Sequence, residues 1–412
     1  MWKKTKKIWP RILFFFSVIG PGIIAANADN DAGGISTYSI VGAHFGTTML
    51  WALFLITFSL AITQEMGVRI GLTTRQGLGG VIRERFGMRW TVFAMLTLLV
   101  ANLGTIVAEF AGIASSLSIF GISKYIAVPI GALIVWLVLS RGSFKIAERI
   151  FLIFSLFYLV YIINGFLIHP NFGEAVSSLF LPHLEWSAPF ILTLIAMIGT
   201  TITPWGQFFI QSYVVDKGLD VKHYKVEKIE VFVGAFLTNI VSFFIIISTA
   251  ATLHKYGFRI NDAKDAALAL RPLAGHFAEI LFAFGLFSSS MLGAFILPTT
   301  TAYAISEAFG WENGFNSTWK EAKGFYSIIL LSLILAVIIV LLPGLPLIKV
   351  MLFSQDINGI LLPIILIFVM IIINDKKIMG EFANKRTGNI ITWLTVIGII
   401  ILTIILLFFS FI

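Results

Sequence analysis

Residues 20–39 read GPGIIAANADNDAGGISTYS, and this stretch decides how the chain is organised. It continues an apolar run, ILFFFSVI at residues 12–19, and so places Asn27, Asp29, Asn30 and Asp31 near the middle of a membrane span. Gly33 and Gly34 follow at once. Two carboxylates at the centre of a membrane helix cost several kcal/mol unless something compensates them. Adjacent glycines let the backbone unwind, which frees carbonyls and half-helix ends to act as ligands. A second stretch, IAMIGTTITPWGQFF at residues 195–209, interrupts another apolar run with Thr200, Thr201, Thr203, Pro204 and Gly206. Glycine and proline alone read as a kink, but a kink needs no acids. No lysine or arginine falls at the depth of Asp31, so a cation from solution is its natural partner.

Working outward, the whole chain is built for a bilayer. Of 412 residues, 58% are hydrophobic and 12% charged, against roughly 25% charged in a soluble domain. Mean hydropathy is +0.95. At about 20 residues per span the length allows roughly ten to twelve membrane helices. Apolar runs and breakers give eleven: about 11–43 (interrupted), 47–71, 91–119, 125–140, 146–168, 186–216 (interrupted), 230–253, 275–308, 323–342, 346–373 and 388–411. The expected fold class is therefore an all-α polytopic membrane protein, a single transport domain over residues 1–412. The basic start, MWKKTKKIWPR, resembles a signal peptide, but polar Asn27–Asp31 stand where a cleavage site would be, so it reads as a retained first helix.

Placing the N-terminus in the cytoplasm and alternating sides puts 23 of the 29 lysines and arginines in inner segments. The outer side keeps Lys124, Lys255, Arg259, Lys264, Arg271 and Lys349. This is the positive-inside bias, and with eleven spans it leaves the C-terminus outside. The formal net charge of +8 is thus a topology signal rather than a nucleic-acid patch. Interruptions in spans 1 and 6, five helices apart, are the sequence mark of a 5+5 inverted-repeat transporter. On that reading repeat one covers about 11–168, repeat two about 186–373, and span 11 is an addition.

Other intramembrane polar groups add to the picture. Glu109 lies within span 3 in NLGTIVAEFAG, where it serves either helix packing or a cation. Gln355, Asp356 and Asn358 begin span 10 in LFSQDINGILLP, read either as contributors to the site or as an unwound, hydrated stretch. Glu65 and Arg69, spaced i, i+4, read as a structural ion pair. No cysteine is present, which excludes disulfides, Cys-ligated zinc, iron–sulfur clusters and thiol catalysis. No HExxH, Walker lysine or GxSxG elbow occurs, and the six histidines form no local ligand pair. An enzyme is not expected, nor a resident cofactor.

At the two interrupted spans the chain resembles the Nramp family of divalent metal transporters, which have the LeuT-type fold. The family carries GPG, eight residues, then Asp-Pro-Gly-Asn; here Gly20-Pro21-Gly22 is followed eight residues later by Asp31-Ala32-Gly33-Gly34. Its Ala-Thr-Val-Met-Pro-His corresponds to Thr200-Thr201-Ile202-Thr203-Pro204-Trp205, its Asp-Leu-Ala-Glu to Ile106-Val107-Ala108-Glu109, and its Ser-Gln to Ser354-Gln355. The resemblance implies a metal held by Asp31, by Thr200 (through its carbonyl) and by Thr203, with Glu109 and Gln355 close by. The family's methionine sulfur is replaced by the Thr203 hydroxyl and its asparagine by Gly34, leaving an all-oxygen, roomier site. Sulfur favours transition metals, whereas magnesium takes oxygen and keeps several waters. The pattern is similar to the Nramp-related magnesium transporters.

The family's proton route is associated with positions that are Trp205 and Ile106 here, and neither side chain carries a proton. The expectation is therefore uncoupled import of Mg2+, with Mn2+ also accepted, by alternating access. The expected setting is a prokaryotic plasma membrane, with the lipid bilayer and the ion as partners, no nucleic acid and no obligate protein partner. Two alternatives stand beside it: a proton-coupled Mn2+/Fe2+ transporter of the ordinary Nramp type, with Asp356 in the relay, and a sodium-coupled carrier of a small solute.

Overall fold

A computed structural model describes residues 30–141, 159–261, 263–268, 278–314 and 317–410. The first half of span 1, with Asn27, Asp29 and the GPG motif, and most of span 5 lie outside the described residues. Within them every regular element is helical.

Among the described residues the longer helices are α1 (Ala32–Phe45), α2 (Leu50–Thr74), α3 (Leu78–Ser118), α4 (Lys124–Arg141), α5 (Leu159–Leu167), α6 (Ala188–Thr201), α7 (Pro204–Asp216), α8 (Tyr224–Thr252), α9 (Ala278–Phe309), α10 (Lys323–Leu341), α11 (Leu347–Asn374) and α12 (Arg386–Ser410). Eight helices or helix pairs among the described residues are long and apolar enough to cross a membrane, and Lys124–Ser140 is a shorter apolar one. Together with α1 and α5, the described remainders of spans 1 and 5, these match the expected spans one for one. The protein is a multi-pass integral membrane protein.

Local chemistry explains where the interrupted helices start and stop. α1 begins at Asp31, whose Oδ1 accepts the Gly34 N–H at 2.7 Å. A carboxylate cap satisfies one of the orphan donors of a helix start and sits at the positive end of its dipole. α6 ends at Thr201, and Ile202 leaves the helix at φ −114°, ψ 87°. Thr203 then caps α7 by accepting the Gly206 N–H at 3.1 Å. Pro204 follows at the first helical position, where its missing N–H costs nothing. Span 6 is thus two half-helices and not one kinked helix.

Three expectations are corrected. The connector drawn at residues 72–90 is largely helical: α3 starts at Leu78 and bends at Gly87, whose φ of 76° is open to glycine without strain. Span 7 starts earlier than expected, at Tyr224. The polar stretch of span 10 is not unwound, because α11 runs unbroken from Leu347 to Asn374 with Gln355, Asp356 and Asn358 buried. Gln355 and the Asn358 amide nitrogen are bonded within the protein, while Asp356 Oδ1 is buried without a partner.

Packing centres on α3, which lies against α9 and α11, while α6 leans on α11 and α8 on α1 and α2. The α6–α11 approach depends on glycine at both ends. A Cβ on Gly199 would fall 2.8 Å from the Gly359 Cα, and one on Gly359 would fall 2.6 Å from the Ile195 carbonyl oxygen. Glycine pairs of this kind let membrane helices come close enough for backbone contact. α10 and α12 sit at the periphery, with Leu331, Leu335, Ile338, Leu394, Ile401 and Ile404 facing outward.

Candidate functional site

Asp31 and Glu109 form the centre of the site. Asp31 is 1% exposed and Glu109 0%. Their carboxyl groups lie within hydrogen-bonding distance of each other. Glu109 Oε2 also accepts the Ala32 N–H at 3.3 Å, and its Oε1 has no partner. Small residues create this contact. Gly293 on α9 backs the Glu109 carboxyl so closely that a Cβ there would lie 2.7 Å from both its oxygens. Gly112, one turn further along α3, makes room for Ala32 in the same way.

Neither acid makes an ion pair among the described residues. Two buried carboxylates side by side repel one another strongly at low dielectric. The arrangement therefore needs a cation between them or a proton on one.

Gln355 closes another side. Its amide packs on the Cα of Gly33, where a Cβ would sit 2.7 Å from Gln355 Cδ. Asn358 Nδ2 donates to Gln355 Oε1 at 2.9 Å and to Thr105 Oγ1 at 2.9 Å, which fixes the Gln355 amide from behind. Thr200 and Thr203 are buried on either side of the α6/α7 break, and the Thr200 hydroxyl has no partner. The Tyr38 and Thr201 hydroxyls share a hydrogen bond of 2.6 Å that ties α1 to the end of α6. Asn30, the residue before Asp31, donates to the Thr238 carbonyl at 3.0 Å and accepts from Ser242 at 2.9 Å. The start of the described half of span 1 is thereby anchored to α8.

The structure brings Glu109 to the start of α1 at Asp31, sets Gln355 against Gly33 two residues on, and buries Thr200 and Thr203 at the break of span 6, which the Tyr38–Thr201 bond ties to α1. Every polar atom these five side chains offer, apart from the Gln355 amide nitrogen, is oxygen. The Thr203 hydroxyl already caps α7, so as a ligand it would use its second lone pair. Trp205 and Ile106 are buried, and the indole N–H of Trp205 has no partner. Glu65 and Arg69 form the expected ion pair at 3.1 Å, extended by Tyr224 to Glu65 at 2.5 Å and by Arg69 to Asn384 at 2.9 Å.

Sequence reasoning named Asn358 but passed over its partner Thr105 and the Asn102–Thr301 bond of 2.7 Å, which brace the centre. Threonine and asparagine in an apolar helix carry no distinctive spacing. It also passed over Gln207 and Gln211, although their i, i+4 spacing after Thr203 was visible.

A half-helix that starts at Asp31 and a span broken at Ile202 and Thr203, set about a buried acidic centre, fit a transporter of the LeuT-type fold. The chain belongs to the Nramp family: the model described as natural resistance-associated macrophage protein-like matches residues 22–409. A protein of Caldanaerobacter subterraneus subsp. tengcongensis named "Divalent metal cation transporter MntH" is 25% identical over 411 residues, 96% of this chain and 94% of that one. A crystal structure of the Eremococcus coleocola manganese transporter, a mutant form, aligns with a TM-score of 0.76 at 19% identity, covering 96% of this chain and 86% of that chain. MhsT in complex with L-phenylalanine aligns at 0.65 with 14% identity, covering 94% of this chain and 98% of that one. At such identities the solved structures speak to fold alone.

Proposed function

We propose that the protein carries divalent metal cations across the membrane by alternating access, with Asp31 as the anchoring ligand. The observation that carries this reading is the contact between two buried carboxyl groups, Asp31 and Glu109, at the break of span 1 with no basic side chain paired to either. Thr200 through its carbonyl and Thr203 through its hydroxyl add hard donors; Gln355 sets its amide nitrogen against Gly33 and its oxygen toward Asn358, and would join the set by turning its amide. Family membership and the names borne by relatives point the same way.

On the identity of the ion the supports divide. The name of the solved relative favours Mn2+, the ordinary reading of the family, over a specialised magnesium carrier. The donor set favours a hard, partly hydrated ion, because Thr203 offers oxygen and Gly34 offers none. We read Mg2+ and Mn2+ as the cargo, with Mn2+ transport the better supported of the two by relatives and Mg2+ by the residues. Trp205 and Ile106 offer no proton relay, which favours uncoupled movement. The membrane potential suffices as a driving force: at about 2.3 kcal/mol per charge per 100 mV, a divalent ion gains roughly 4.6 kcal/mol. A sodium-coupled small-solute carrier shares the fold but would leave the acid pair without a use.

The test is reconstitution in liposomes with a negative-inside potential, following internal Mg2+, Mn2+ and pH together. Entry of Mg2+ without acidification supports the uncoupled magnesium reading. Entry of Mn2+ alone, with acidification that tracks it, replaces that reading with the ordinary one. Entry of neither metal refutes metal transport.

A further inference from the structure

Away from the breaks, positive charge collects in a cavity of about 650 Å3 where α3, the end of α11 and the start of α12 meet. Arg85 of α3 and Lys376 and Lys377, which follow α11, supply the charge. Ile371 of α11 and Trp393 of α12 line the same cavity and give it an apolar wall. The end of α11 lies roughly 28 Å along the helix axis from Gln355, so this is not the acidic centre seen from another side. Aromatic contacts fix the corner: Phe86 and Trp90 of α3 pack on Phe368 of α11, with ring centroids at 5.1 and 6.4 Å.

The charge is not consumed within the protein. Asp375, the acid of the cavity, accepts the Arg85 Nε–H on Oδ2 at 2.7 Å and the Lys377 backbone N–H on Oδ1 at 2.9 Å. The first bond orients the guanidinium but uses only Nε. The terminal nitrogens of Arg85 make no hydrogen bond among the described residues, and neither lysine ammonium makes an ion pair among them. Arg85 therefore presents the planar fork that binds a phosphate through two parallel hydrogen bonds. Three cations against one acid leave the cavity two positive charges in excess.

The setting points to a lipid. Ile371 and Trp393 are 41% and 42% exposed, and Trp90, Ile390 and Leu394 on the same three helices also face outward. In a membrane protein such side chains meet acyl chains. The three cations stand at the ends of the apolar runs, at headgroup level, where tryptophan is also favoured. A zwitterionic headgroup would bring its own ammonium against Lys376 and Lys377; an anionic one brings none. We infer that this cavity binds one anionic phospholipid, its phosphate on the Arg85 fork beside Lys376 and Lys377 and its chains along Ile371 and Trp393. The charge bias of the sequence assigns that end to the cytoplasmic leaflet. The lipid ties α3, which carries Glu109, to the end of α11, which carries Gln355. The inference stands whichever ion is carried.

Native mass spectrometry of the delipidated protein in detergent, titrated with phosphatidylglycerol or phosphatidylcholine of equal chain length, tests it, with Tm as a second readout. One phosphatidylglycerol is retained and raises Tm, because a ligand of the folded state stabilises it; phosphatidylcholine binds far more weakly. Lys376→Gln/Lys377→Gln removes two cations and weakens phosphatidylglycerol binding roughly thirtyfold, at about 1 kcal/mol for each. Arg85→Lys keeps the charge, loses the fork and also weakens binding. Lys222→Gln/Lys225→Gln removes two exposed cations outside the cavity and changes nothing. Equal binding of the two lipids, or a loss in Lys222→Gln/Lys225→Gln as large as in Lys376→Gln/Lys377→Gln, overturns the site in favour of unspecific attraction to the basic face. Binding unchanged in both Lys376→Gln/Lys377→Gln and Arg85→Lys also overturns it. Glycerol phosphate that raises Tm as much as the lipid overturns the lipid and leaves a soluble phosphate as the occupant.

Discussion

Replacing Gly293 by alanine tests whether the position of Glu109, and not merely its charge, sets ion affinity. The new Cβ would arrive 2.7 Å from both Glu109 carboxyl oxygens. Carbon–oxygen contacts of this kind ordinarily run about 3.3–3.6 Å, so the carboxyl has to retreat by about 0.6 Å or more. α9 is fixed against α3 along its length and cannot easily give way, so the movement falls on the glutamate side chain. Its hydrogen bond from the Ala32 N–H, already 3.3 Å long, is then lost. A hydrogen bond to a charged group contributes about 1.5–3 kcal/mol, which corresponds to a loss of affinity on the order of ten- to a hundredfold. Overpacking itself costs about 1–3 kcal/mol of stability, so a modest fall in Tm is expected alongside. The assay is calorimetric titration of Mn2+ and Mg2+ into Gly293→Ala, Glu109→Gln and the unaltered protein. Glu109→Gln removes the charge but keeps the shape, and should weaken both ions by a similar or larger factor. If Gly293→Ala binds as tightly as the unaltered protein while Glu109→Gln is weak, the geometry argued for Glu109 is wrong and only its field matters.

Other substitutions separate roles that coincide in single residues. Asp31→Ala should abolish uptake; Asp31→Asn keeps a side-chain cap on α1 and should also abolish uptake, while sparing the roughly 0.5–2 kcal/mol of stability that the cap contributes. Full uptake by either variant in the liposome assay would remove Asp31 from the site. Thr203→Met should raise affinity for Mn2+ or Cd2+ relative to Mg2+, with Thr203→Ala as the control for the lost α7 cap; an unchanged selectivity ratio would sink the oxygen-site reasoning. Glu65→Ala leaves Arg69 buried with only the Phe382 carbonyl and Asn384 as partners, and should cost about 3 kcal/mol in detergent unfolding. Outside the membrane, the Lys377 backbone N–H and the Arg85 side chain hold the Asp375 carboxyl below its ordinary range. Because its folded value is lowered, this tie contributes above about pH 4 and fades as pH falls through that lowered value. Asp375→Asn should flatten that acid limb of the stability profile.

The sequence carried the architecture because hydropathy, charge bias and the two interrupted spans are all one-dimensional signals. Membrane helices must satisfy their own backbones, so eleven apolar runs leave little choice of structure. Asp31 was legible for the same reason: an acid among glycines in an apolar run has few structural excuses. Glu109 was legible as a candidate but not as the partner of Asp31, since that contact depends on Gly293 and Gly112 on different helices. The polar start of span 10 was ambiguous because glutamine, aspartate and asparagine in sequence fit an unwound turn as well as a helix. The pairing of Asn358 with Thr105, 253 positions away, satisfies part of that polar stretch inside the continuous helix, and no local pattern announces it.

A carrier must also return empty, and the two breaks bear on how this one can. Asp31 caps α1 and Thr203 caps α7, so the N-termini of both half-helices open at the breaks. Each N-terminus is equivalent to roughly half a positive charge. In the empty centre, where one of Asp31 and Glu109 holds a proton, they face the single remaining carboxylate charge and partly offset it. That residual is small enough to be carried through the membrane with Asn30, Tyr38 and Asn358 holding the frame. It is also large enough to favour a dication over water. Were both acids fully uncompensated, the ion would bind too tightly to leave; were either break closed into a continuous helix, the compensating dipole would be lost. On the proposed reading the same helix starts serve binding and release, and Asp31 with Gly33 and Gly34 supply acid and backbone freedom together.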